Sequence, residues 1–191
     1  MKALQRAVDL VFLPGEAWQK IAREEPDPAE LIRGFALPMA CIPAVCWAVG
    51  TTLFAGKGVV GADVSGFDFG AALHRGAIAL AGVAASIFLL AVSIFILAPL
   101  FARTRTWRRI LQVAVYSSAP VLLAGVLLVL PDLVFALMIS AAHSFYLLYA
   151  GFQHVLGVKQ GEAAEYAALV AVLVIIASTL LGAFASWLGM V

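Results

Sequence analysis

The sequence predicts an all-α integral membrane protein: a five-transmembrane-helix bundle preceded by a short cytoplasmic amphipathic helix. Three observations lead there. Of 191 residues, 64% are hydrophobic and only 12% charged, against roughly 45–50% and about 25% in soluble domains. Five apolar stretches approach or exceed the roughly 20 residues needed to cross a 30 Å hydrocarbon core. The cations alternate in density between successive connections, as short loops of opposite membrane sides do.

The predicted spans are residues 32–54, 73–101, 110–130, 133–155 and 163–188, so 31–191 forms the membrane domain and 1–30 an N-terminal segment. The apolar run from Ile110 to Phe152 is too long for one helix. Pro131-Asp132 divides it, because proline suits a first helical turn and a carboxylate suits the positive end of the helix dipole. Lys2, Arg6, Lys20, Arg23 and Arg33 precede or open the first span. Arg103, Arg105, Arg108 and Arg109 join spans two and three, and Lys159 joins four and five. Only Lys57 and Arg75 fall on the other side, with Asp63, Asp68 and Asp132. The distribution predicts a cytoplasmic N-terminus and an outside C-terminus in a bacterial inner membrane.

The first thirty residues do not predict a signal peptide, because Asp9 and Pro14 interrupt their short apolar stretch. Pro14 opens a helix with Glu16 in its first turn and Trp18, Ile21 and Ala22 on an apolar side. The expectation is an interfacial helix with Trp18 at headgroup depth, the alternative a frayed tether. Glu25-Pro26-Asp27-Pro28 reads as a stiff break before the first span.

Helices in lipid associate through small residues and a few polar side chains. Ser178, Gly182 and Ser186 recur every four residues in span five, and Gly82 and Ser86 repeat the pattern in span two. These are the predicted packing faces, within the bundle or between copies. At 100° per residue, Ser140, His143, Ser144, Leu147, Ala150, Gly151 and His154 share one face of span four. An ionisable residue inside a span is costly, which singles out His143, with Tyr116, Ser117 and Gln112 of span three as candidate partners. A neutral imidazole satisfied by a neighbour is the alternative. Pro38, Pro43 and Pro120 each remove a helical hydrogen bond, as structural kinks or as breaks at a binding site.

The balance of 12 Lys+Arg against 11 Asp+Glu gives no basic surplus for nucleic acid. Cys41 and Cys46 sit five apart in an apolar run, neither a metal-ligand spacing nor a disulfide framework, and read as buried small hydrophobes. No metal-ligand spacing, phosphate loop or nucleophile elbow occurs, so the expectation is no cofactor, no metal and no catalytic residue.

Taken together, Leu13-Pro14-Gly15-Glu16-Ala17-Trp18, Ile42-Pro43-Ala44-Val45-Cys46-Trp47 with Gly50-Thr51-Thr52, Tyr116-Ser117-Ser118-Ala119-Pro120, Leu130-Pro131 and Tyr146-Leu147-Leu148-Tyr149-Ala150-Gly151 follow one another across nearly the whole chain. In that order they resemble the Yip1 domain family, specifically its short bacterial inner-membrane members. The resemblance implies five spans and a cytoplasmic N-terminus. Eukaryotic relatives act in vesicle trafficking, bind prenylated Rab-type GTPases and assemble with one another. Leu31-Ile32-Arg33-Gly34-Phe35 stands where those relatives carry an Asp-Leu-x-Gly-Pro element.

Two functions follow as expectations. One is a non-enzymatic protein that organises the bilayer, other membrane proteins or further copies of itself. Trp18, Arg103, Arg105, Arg108 and Arg109 would then meet anionic headgroups, each cation contributing about 1 kcal/mol. The other is an oligomeric small-solute or ion channel built on the polar face of span four.

Overall fold

The structure is a computed structural model that describes residues 2–54, 68–130, 133 and 135–187. Every regular element among these residues is helical. Helix α1 is Lys2–Phe12, α2 is Pro14–Arg23, α3 is Pro28–Leu53, α4 is Phe69–Phe101, α5 is Trp107–Val129, α6 is Ala136–His154 and α7 is Gln160–Trp187.

Four of these helices, α3, α4, α5 and α7, are long and apolar enough to cross a membrane. Helix α6 occupies the predicted fourth span but is not among them. Its 19 residues include two histidines, Gln153 and two tyrosines, which lower its hydropathy. The Pro131-Asp132 turn, Lys57, Asp63 and the end of span five from Leu188 lie outside the described residues.

Local chemistry sets the helix ends. The Asp27 carboxylate accepts from the Ala29 N–H at 3.2 Å and so caps α3, with Pro28 in the first position. Asp68 does the same for α4 through the Ala71 N–H at 3.0 Å. Each satisfies a donor that has no partner within its own helix. Helix α3 widens into a π turn at Ile32–Ala36 just before Pro38, and α5 breaks at Ser118 before Pro120. Both irregularities accommodate a proline that cannot donate to the preceding turn.

Within the bundle the predicted small-residue faces do not make the helix contacts. Ser178, Gly182 and Ser186 of α7 are exposed, as are Gly82 and Ser86 of α4, and a β-carbon at Gly82 or Gly182 would meet nothing within 4 Å. The close approaches occur at other glycines. A β-carbon on Gly50 would collide with the backbone carbonyls of Leu128 and Val129, and one on Gly125 would fall within 2.9 Å of Pro43 Cα. These contacts clamp α3 against the C-terminal half of α5. Pro43 is therefore a packing surface as well as a kink. Cys41 is exposed and Cys46 only half-buried, contrary to their reading as buried hydrophobes.

The chain's other close contacts gather the cation-rich segments at one end. Gly157 takes a left-handed φ of 66°, which favours glycine, and turns the chain after α6. Leu156 O then accepts from the backbone N–H groups of Arg103 and Thr104, each at 3.1 Å. The 102–106 connection and the 155–159 connection are thus tied together. At the far end, Arg75 donates to Thr51 O and Thr52 Oγ1, both at 3.2 Å.

Gly125→Ala is expected to lower thermal stability in detergent by about 1–3 kcal/mol, the usual cost of overpacking. Gly82→Ala, in open space, is expected to leave it unchanged or raise it by up to about 1 kcal/mol through helix propensity. Equal melting temperatures for the two variants would show that the α3–α5 clamp yields without cost.

Candidate functional site

The densest set of polar contacts lies where α1 and α2 meet α5. A helix leaves its last carbonyls without intrahelical donors. In α2 those carbonyls are met by side chains of α5. Gln112 Nε2 donates to Ile21 O at 2.9 Å, and Arg109 Nη1 donates to Ala22 O at 3.0 Å and to Glu24 O at 2.8 Å. Arg109 Nη2 also reaches the Glu25 carboxylate at 2.9 Å. A cation here complements the negative end of the helix dipole.

A second arginine completes the junction. Arg6 of α1 holds both Glu24 carboxylate oxygens, at 2.6 and 2.7 Å, and donates to Tyr116 Oη at 2.7 Å. Glu24 raises the Arg6 pKa above its ordinary value more than burial lowers it, and Tyr116 adds to the rise. The guanidinium therefore stays charged throughout the physiological range. The Tyr116 ring packs edge-on against Phe35 and Trp18, at 4.8 and 6.5 Å between centroids.

Beside this junction is a cleft of about 540 Å³. Lys2, Arg6, Asp9, Glu24 and Glu30 bring both charge signs to its wall, and Phe35 and Tyr116 form its aromatic floor.

Trp18 faces neither lipid nor solvent. It is 0% exposed, and a β-carbon on Gly151 of α6 would lie 2.8 Å from its ring. Glycine leaves the notch that the indole fills. Ala17 and Ile21, on the same side of α2, are also buried. The apolar side of this helix faces protein rather than lipid.

The predicted neighbourhood of His143 does not assemble. Gln112 and Tyr116 are engaged by α2 and α1, and the ring that His143 meets is Tyr146, at 6.0 Å. His143 Nε2, Ser144 Oγ, Ser117 Oγ and Trp18 Nε1 are buried and have no hydrogen-bond partner among the described residues. Ser140 is half-buried, and exposed His154 pairs its Nδ1 with Ala150 O at 2.8 Å. The channel reading thereby loses two of the three partners it assigned to His143, and the third, Ser117, makes no hydrogen bond among the described residues. Among the described residues no cluster of three or more His, Cys, Asp or Glu is placed to hold a metal ion.

The arginines of the 103–109 stretch divide. Arg109 is committed to α2, and Arg105 Nε donates to its own connection at Ala102 O, 3.1 Å away. The Arg103 side chain lies over Gly157, while Arg108 is exposed. Sequence reasoning missed α1 altogether and counted Arg6 only among the N-terminal cations. Its signal was present: Leu4, Val8 and Phe12 repeat every four residues, the spacing of one helical face.

A chain whose described residues form only helices, four of them apolar and of bilayer length, with a polar junction at one end, is of the multi-pass membrane-protein class. The chain belongs to the Yip1 domain family, whose family model, described as Yip1 domain, matches residues 8–190. No curated protein and no solved structure matches it.

Arg109→Ala is expected to cost about 2–4 kcal/mol, because α2 carbonyls lose a charged donor. It is also expected to expose residues 24–27 to limited proteolysis while the rest of the chain stays protected. Cleavage no faster than in wild type would show that α2 is held without Arg109. His143→Leu is expected to leave stability unchanged or raise it by about 1 kcal/mol, since a buried nitrogen without a protein partner is removed. A lower melting temperature would reveal a contact that His143 needs.

Proposed function

We propose that this is a five-span, non-enzymatic member of the Yip1 family that organises membrane or partner proteins through its N-terminal face. In this reading α6 is the fourth of the five spans, shielded from lipid along its Leu147, Ala150 and Gly151 side by α2, α5 and α7. The N-terminus, the 102–106 connection and the 155–159 connection face the cytoplasm, in keeping with their cations.

The observation that carries the proposal is the three-sided character of α1. Ala7 and Leu10 are fully buried against the bundle. Lys2, Gln5, Arg6 and Asp9 line the mixed-charge cleft. Leu4, Val8 and Phe12 project outward, Phe12 with 75% exposure. An apolar stripe beside a charged one suits a helix lying in the membrane interface. The interfacial role expected of Trp18 and α2 therefore belongs to α1, with α2 as the wedge that fastens it. Because Arg6 and Arg109 hold this assembly to α5, the cleft is part of the folded bundle and offers partners a fixed surface.

Single-cysteine variants at Lys2, Arg105 and Gln160, in a background lacking Cys41 and Cys46, are expected to react from the cytoplasmic side of inverted vesicles. A cysteine at Asp63 is expected to react only from the opposite side. Labelling of Arg105 and Gln160 from different sides would remove α6 as a span. The organising role is tested by cross-linking in native membranes. Val8→Ser with Phe12→Ser is expected to lose neighbours that the wild type captures, whereas Arg75→Gln retains them. The same neighbours in both variants would overturn it.

A further inference from the structure

We propose that a cleft opening sideways between α3, α4, α5, α6 and α7 binds an uncharged lipid, one with a long hydrocarbon chain and a carbonyl or hydroxyl oxygen. The cleft measures about 640 Å³, and no charged residue lines it. Ile87 and Leu122 are part of its buried floor, while the exposed side chains of Trp47 and Phe145 mark its mouth. Apolar walls select a hydrocarbon chain.

Two hydroxyls in this lining specify more than hydrocarbon. A serine or threonine within a helix usually turns its oxygen to the carbonyl four residues back. Ser86, Ser118, Thr52 and Thr179 all do so, donating to Gly82, Ala114, Ala48 and Ile175. Ser117 and Ser144 line the cleft and do not. Ser117 is only 1% exposed, and its Oγ has no partner among the described residues. A buried hydroxyl left unsatisfied costs about 1–3 kcal/mol, which an oxygen-bearing ligand would offset.

Depth then restricts the ligand. Ser117 lies ten residues beyond Trp107, and Ser144 ten residues before His154. At 1.5 Å per residue each is about 15 Å from the cation-rich end, half of a 30 Å hydrocarbon core. A charged headgroup is strongly disfavoured at that depth, whereas an uncharged oxygen donor or acceptor is affordable once hydrogen-bonded. The absence of charge in the lining and the depth of the two hydroxyls thus point to the same chemistry.

This inference rests on the five-span reading, so the test keeps the two apart. The full chain is placed in phosphatidylcholine nanodiscs and photolabelled with a long-chain alcohol carrying a diazirine in its chain. Adducts are expected on Ile87 and Leu122 and are expected to be displaced by excess unlabelled alcohol. Ser117→Val is expected to lower this displaceable labelling by about fivefold, which corresponds to one hydrogen bond of about 1 kcal/mol. Its melting temperature is expected to equal or exceed that of wild type. Ala141→Trp blocks the mouth from an exposed position and is expected to abolish the same adducts, so the result does not depend on a core variant. Adducts that excess alcohol fails to displace, or that both variants retain, would overturn the proposal. A diazirine phosphatidylcholine giving the same adducts would assign the cleft to ordinary bilayer lipid and overturn it equally. If the cysteine labelling gives five spans and displacement is absent, the lipid site alone fails. If the labelling excludes α6 as a span, both readings fail.

Discussion

The carbonyls at the end of α2 must find donors, and much of the cation-rich end of the structure depends on how they do. A helix that stopped at the bundle surface would leave them to water. Here Arg109 and Gln112 supply the donors from within α5, and Gln112 is completely buried in doing so. Holding that terminus against α5 places Trp18 in the Gly151 notch and brings Glu24 within reach of Arg6. Arg6 then reaches Tyr116, so α1 is fastened through the same junction. Each contact supports the others, and hydrogen bonds with a charged partner are stronger than neutral ones.

The same economy of contact appears where helices meet directly. At Gly50, Gly125 and Gly151 the missing side chain is filled by a backbone carbonyl, a proline ring or an indole. Tyr166 illustrates the aromatic counterpart. It lies stacked between Phe101 and Phe152, at 4.9 and 4.1 Å, and donates to Ile94 O at 2.5 Å. A buried tyrosine that finds a hydrogen bond contributes area without leaving an unsatisfied oxygen. The small-residue stripe of α7, by contrast, faces outward and does not take part in these contacts.

Two regions of different chemistry result. The cation-rich end carries a mixed-charge cleft whose walls are held by ion pairs, and the interior of the bundle carries an uncharged cleft with two serine hydroxyls. Tyr116 and Ser117 are adjacent in sequence yet serve different regions, the first at the junction and the second in the interior cleft. Helices α3 and α5 therefore line both.

The sequence by itself determined the helical class, the approximate limits of the helices from α2 onward and the grouping of cations at one end, because these depend on composition, local periodicity and solvation. Asp27, Asp68 and the prolines also act on neighbouring residues, so their effects are legible at short range. What only the tertiary structure decided is which apolar side meets protein and which polar groups pair. Periodicity marks Trp18 and Phe12 equally as apolar-face residues, yet one is buried and the other exposed, because only a folded partner such as Gly151 distinguishes protein from lipid. Arg6 and Tyr116 are separated by 110 positions, a distance over which no local pattern carries information. The glycines follow the same logic: spacing alone suggested Gly82 and Gly182, but whether a small residue admits another backbone depends on what the fold brings opposite it.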